Sequence, residues 1–173
     1  MPAPCSPAPP FQPCPEPPMA IQHLSHIGIC VADLEVACRF YGEGLGFREV
    51  HRLHVEGEHA EQLLELPGLA LDVVYLERDG TCIELLYYAR PGHRGDPVPR
   101  AMNQRGLTHL SLRTDDLEAD VEALRGLGAG VLDSTRIDNP AYRSRVVFVT
   151  DPDGTRIELV ERPGDAASLP GTD

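Results

Sequence analysis

Short runs in which apolar and polar residues alternate recur along this chain, separated by stretches whose apolar residues fall three or four apart. Alternation marks a half-buried strand, because successive side chains point to opposite faces; the wider spacing marks one face of a helix. In "HIGIC" Ile27 and Ile29 alternate with His26, Gly28 and Cys30. Asp33 then stands where an N-cap belongs, and Leu34, Ala37, Phe40 and Tyr41 recur at helical spacing until Gly44-Leu45-Gly46 closes the pattern. Three strand-like segments follow, "REVHRLHV", "LALDVVYLE" and "TCIELLYY", with "EGEHAEQLLELPG" inserted between the first two.

The same order is then written again. "THLSLRTDDLE" aligns without gaps on "SHIGICVADLE", so that His109 matches His26 and Asp116-Leu117-Glu118 matches Asp33-Leu34-Glu35. Leu117, Val121 and Leu124 carry the second helix to Gly126-Leu127-Gly128, and "GVLDS", "SRVVFVTD" and "TRIELVE" complete the second set of strands. Asp79-Gly80 and Asp153-Gly154 are turn signals joining the last two strands of each copy. The chain is a duplicated β-α-β-β-β unit. We place the first unit at residues 21–92, a linker at 93–105 and the second unit at 106–162. Residues 1–20 are dense in proline and predict a disordered leader, and the small polar residues of 163–173 predict a flexible tail. Met19, directly after the prolines, is an alternative start of translation to Met1.

Alternation also decides where the polar residues inside these strands point. Ile83 with Leu85 and Ile157 with Leu159 take the core faces, which leaves Glu84 and Glu158 on the opposite ones, as Ile27 and Leu110 leave His26 and His109. With each unit curled into a half-barrel, these faces line a concave cleft in which the four side chains converge. Two imidazoles and two carboxylates suit a divalent ion such as Zn, Ni, Co, Mn or Fe(II). A single strand His or Glu is more often structural. Two costly polar pairs kept at duplicated positions are easier to explain with a cation than without one.

Composition narrows the partners. A net charge of -12, with no segment dense in Lys or Arg, disfavours a nucleic-acid partner. No apolar run approaches the roughly 20 residues that span a bilayer, and the basic-then-apolar order of a signal peptide is missing, so the expected location is cytoplasmic. The five cysteines lack CxxC spacing and read as reduced thiols.

"HIGICVADLEVACRFYGEGLGF", "GTCIELLYYARPG", "THLSLRTDDLE" and "FVTDPDGTRIELVE" resemble the vicinal oxygen chelate superfamily, which includes glyoxalase I, methylmalonyl-CoA epimerase, extradiol dioxygenases and the fosfomycin and bleomycin resistance proteins. The resemblance covers nearly the whole folded body. It implies an α+β fold of two tandem βαβββ units forming a curved mixed sheet around a metal-binding cleft, with His26, Glu84, His109 and Glu158 as ligands of one divalent ion. That ligand set is similar to glyoxalase I; the wording of the strands is closer to methylmalonyl-CoA epimerase. The implied activity is a metal-dependent isomerase, epimerase or lyase that abstracts a proton next to a chelated carbonyl, with Glu158 and Glu84 as candidate bases and a small substrate carrying two vicinal oxygens. A homodimer is implied too. The competing readings are an iron-dependent ring-cleaving dioxygenase, which Glu84 disfavours, and a drug- or metabolite-binding resistance protein without turnover.

Further candidates lie outside the four. Glu56, His59 and Glu61 sit in the insertion, as a lid over the cleft or, by preference, a solvated acidic helix. Arg143 and Arg145 could grip a carboxylate or phosphate, yet exposed strand-end arginines are commoner, and Tyr87, Tyr88 and Tyr142 read as packing or rim residues.

Overall fold

The computed structural model describes residues 20–168. Expectations for the leader through residue 19 and for the tail from residue 169 lie outside the described residues. The first unit runs β1 (Ile27–Cys30), α1 (Leu34–Arg39) continuing into a π-helical turn (Phe40–Gly44), β2 (Arg48–Glu56), α2 (Glu58–Leu64), β3 (Ala70–Arg78) and β4 (Thr81–Arg90). The second runs β5 (Leu110–Thr114), α3 (Leu117–Gly126), β6 (Gly130–Asn139), β7 (Ser144–Thr150) and β8 (Arg156–Glu161). Each unit folds as a mixed four-stranded sheet, ordered β1-β4-β3-β2 and β5-β8-β7-β6, with the first strand parallel to the last and the other pairs antiparallel. The tandem βαβββ organisation stands, as two four-stranded sheets.

Local chemistry explains the helices. Asp33 caps α1 by accepting from the Val36 amide at 2.9 Å, and Asp116 caps α3 by accepting from the Ala119 amide at 3.1 Å, each cap contributing about 1 kcal/mol. Their apolar faces bury Leu34 and Ala37, then Leu117, Val121 and Leu124. These residues join Phe40, Tyr41, Ile29, Val74, Ile83, Leu85, Val147, Val149, Ile157 and Leu159 in one continuous core. Both sheets therefore turn their helix-covered faces towards the same interior.

The insertion forms α2, whose Ala60 and Leu64, with Leu66, pack on Leu69, Leu71 and Val73. In β3 Leu71, Val73 and Tyr75 alternate with Val74 and Leu76 of the shared core, so α2 covers the opposite, outer face of the first sheet. Strand β6 runs longer than "GVLDS" predicts, because its pairing with β7 breaks between Leu132 and Ile137 and then resumes. Thr135 patches the break: its hydroxyl donates to the Leu132 carbonyl at 2.7 Å and accepts from the Phe148 amide at 2.9 Å. The duplicated Asp-Gly turns also differ. Asp79 and Gly80 both have positive φ, 53° and 76°, which fits a tight two-residue hairpin. In the second unit a longer loop leads from β7 to β8, and only Gly154 has positive φ, 88°. No described helix is long and apolar enough to cross a membrane. Cys30, Cys38 and Cys82 are free thiols.

Candidate metal centre

His26 immediately precedes β1, and Glu84 stands on β4 beside Gly28 in the parallel register. Because Ile29, Ile83 and Leu85 enter the shared core, His26 and Glu84 take the outer face of the first sheet. There His26 Nε2 lies 3.2 Å from Glu84 Oε2. The second unit repeats this: His109 precedes β5, Glu158 pairs with Ser111, and His109 Nε2 lies 3.8 Å from Glu158 Oε2. Each imidazole has its Nδ1 against the hydroxyl of the preceding residue, Ser25 at 3.1 Å and Thr108 at 2.9 Å. With Nδ1 carrying the proton, Nε2 turns a lone pair towards a carboxylate oxygen.

Two acceptors that close need a proton or a cation between them. Two donors bound at about 2.0–2.2 Å and 90–110° around one ion lie roughly 2.8–3.6 Å apart. The first pair already has that spacing, and the second must close by about 0.2 Å, a small side-chain adjustment. The residues fit a divalent ion as two half-sites. Among the described residues no three His, Cys, Asp or Glu side chains gather closely enough to hold a metal. The structure thus joins His26 with Glu84 and His109 with Glu158, and does not bring the two pairs together. The sequence leaves open whether the cleft closes within one chain or across two; here both sheets turn their apolar faces inward to one core, which turns both His–Glu faces outward.

Sequence reasoning passed over the residues that hold the carboxylates. The Tyr75 hydroxyl on β3 donates to Glu84 Oε1 at 2.6 Å, and the ring meets His26 edge-on, centroids 5.4 Å apart. That hydrogen bond, with burial and the carboxylate charge behind it, pushes the Tyr75 phenol up to about 12. His51 stacks on the other side of Tyr75, at 6.4 Å. In the second unit the Ser111 hydroxyl donates to Glu158 Oε2 at 2.7 Å, while Phe148 meets His109 edge-on at 5.3 Å. The available signal was strand parity: Tyr75 and Phe148 fall on the ligand faces of "VVYLE" and "VVFVT".

Among the remaining candidates, Arg145, Glu56, Tyr87 and Tyr88 are engaged elsewhere. Arg145 is bonded to Glu161 and lies 3.7 Å from Glu118, so it does not offer a free anion grip. Arg143 sits at positive φ between β6 and β7. Glu56 lies 3.6 Å from His54 and 3.7 Å from Arg90, and His59 is exposed on α2. Tyr87 packs on the shared core, Tyr88 packs on the outer face with Leu71 and Val73, and Tyr142 is exposed.

A family model described as Glyoxalase/Bleomycin resistance protein/Dioxygenase superfamily matches residues 23–159. Among curated relatives, an uncharacterized protein, YaeR, of Escherichia coli is 29% identical over 83% of this chain and 99% of its own. A probable lactoylglutathione lyase of Vibrio parahaemolyticus is 28% identical over 88% of this chain and 100% of its own, and an ethylmalonyl-CoA/methylmalonyl-CoA epimerase of Cereibacter sphaeroides is 29% identical over 80% and 97%. A solved glyoxalase family protein from Bacillus cereus superposes with a TM-score of 0.71, covering 84% of this chain and 99% of its own at 23% identity.

Proposed function

The chain belongs to the glyoxalase/bleomycin resistance protein/dioxygenase superfamily, and on that premise we propose that it is a divalent-metal-dependent isomerase, epimerase or lyase acting on a small substrate with two vicinal oxygens. The observation that carries the reading is the pair of outward-facing His–Glu sets at equivalent positions, each with Nε2 and a carboxylate oxygen turned towards one another. Relatives named as a lyase and as an epimerase support the reaction class.

Each set supplies two donors, so a four-donor site needs the outer face of one unit opposed to the outer face of the other. A homodimer provides this, with His26 and Glu84 from one copy and His109 and Glu158 from the second. When bound, the ion would act as a Lewis acid, polarising the substrate carbonyl and stabilising negative charge on its oxygen. His26 and His109 would hold it through Nε2. Glu84 suits a fixed ligand, since one oxygen faces His26 and the other accepts from Tyr75. Glu158 suits the base: among the described residues nothing donates to its Oε1, which leaves that oxygen open to take a proton and return it to the other face or the neighbouring carbon.

The test is elemental analysis of the purified protein, followed by proton–deuterium exchange into methylmalonyl-CoA and into the methylglyoxal–glutathione adduct, repeated with His109→Ala. Stoichiometric metal lost in the variant, with exchange into one substrate, is the expected result. Metal without exchange into either retains the centre and moves the search to other vicinal-oxygen substrates. A metal-free protein indistinguishable from the variant overturns the proposal in favour of a binding protein without turnover.

A further inference from the structure

Two sheet positions flank each ligand carboxylate, and the two units fill them in opposite ways. Glu84 has Gly28 beside it on the parallel neighbour and Tyr75 on the antiparallel neighbour. Glu158 has Ser111 and Phe148 at the same two places. Each unit therefore owns one hydroxyl, supplied from opposite sides, and each hydroxyl donates to the carboxylate at 2.6 or 2.7 Å. The aromatic ring is common to both units and meets the His edge-on at 5.4 and 5.3 Å, so the ring serves the imidazole and the hydroxyl serves the carboxylate.

We infer that Tyr75 and Ser111 are positioning residues for the two carboxylates and that the hydroxyl, not the strand supplying it, is what the site requires. The inference rests on the metal reading above. A carboxylate on a flexible side chain turns about its last torsion, and a single strong donor fixes which oxygen faces the imidazole; outer hydrogen bonds of this kind typically carry about 10–100-fold in metal affinity. The geometry allows the donor to be moved. A Cβ built on Gly28 would lie 3.7 Å from Glu84 Oε2 and 3.2 Å from a methyl of Leu86, the flexible end of a side chain. A serine there reaches the carboxylate much as Ser111 reaches Glu158.

The experiment is calorimetric titration of the metal-free full chain with Co(II), together with the visible absorption of the bound ion, for the parent, Tyr75→Phe, Gly28→Ser and the double variant. The expected result is that Tyr75→Phe weakens Co(II) binding about 10–100-fold and alters the spectrum, that Gly28→Ser alone stays close to the parent, and that the double variant regains affinity and spectrum. If Gly28→Ser alone lowers the melting temperature, the reciprocal pair decides, with Ser111→Ala weakening binding and Ser111→Ala combined with Phe148→Tyr restoring it. A parent that binds no Co(II) overturns the metal reading and this inference with it. A parent that binds, with Tyr75→Phe unchanged or with neither donor transfer restoring affinity, overturns the inference alone.

Discussion

The Tyr41 hydroxyl donates to Asp151 Oδ2 at 2.9 Å across 110 residues of chain, and this contact ties the helical turn of the first unit to the β7–β8 loop of the second. Tyr41 is fully buried and Asp151 nearly so. The other oxygen of Asp151 accepts from the amides of Asp153 and Thr155, at 3.0 and 2.7 Å. Burial is the main cause holding the Asp151 carboxyl above its usual range, and it pushes the Tyr41 phenol well up. Tyr41→Phe removes the donor and leaves a buried acceptor unsatisfied, a loss of about 1–3 kcal/mol. Since about 1 kcal/mol moves the midpoint of a chain this size by 2–4 °C, calorimetry should show a clear drop in melting temperature.

A second stability effect comes from Gly154. Its φ of 88° is unfavourable for any side chain, and an added Cβ would meet the backbone of Pro97 at 2.9 Å and of Val98 at 3.0 Å, where the linker crosses the loop. Gly154→Ala should lower the denaturation midpoint by more than Gly80→Ala, whose Cβ meets nothing within 4 Å. Equal losses in urea titrations would contradict the close crossing of the linker.

His54 gives a pH signature. Its Nδ1 lies 2.7 Å from Asp72 Oδ1, and that hydrogen bond chiefly raises the imidazole above 6.5, with Glu56 adding to it and desolvation opposing. Because the folded value exceeds the unfolded one, the stabilising contribution is complete below about 6.5 and disappears as pH rises through the folded value. An NMR titration of the His54 ring proton should give a midpoint above 6.5 that falls in Asp72→Asn.

The two carboxylates should respond differently to neutralisation. At saturating metal Glu158→Gln should lower kcat for exchange by about 10²–10⁴-fold, the usual worth of a positioned base. Glu84→Gln should mainly weaken metal binding, with kcat at saturation within about tenfold of the parent, as expected of an outer-bonded ligand. Stopped-flow exchange with parallel metal titration separates the two, and equal loss of kcat in both variants would remove the distinction.

The duplicated unit, its helix caps and the strand faces that carry each His and each Glu were legible in the sequence. They depend on local rules: a period of two along strands puts Glu84 and Glu158 opposite Ile83 and Ile157, and an aspartate before an apolar repeat caps a helix. Tertiary structure decided the rest. That Tyr75 rather than a neighbour of Glu84 in sequence holds the carboxylate depends on register between β3 and β4, and that α2 covers the outer face depends on where Leu71 and Val73 needed burial. Above all, alternation says which side of its own sheet a residue takes and nothing about how two sheets are turned relative to one another. Burying both apolar faces and their helices in one core set that relation, and so turned the two His–Glu pairs outward and kept them apart.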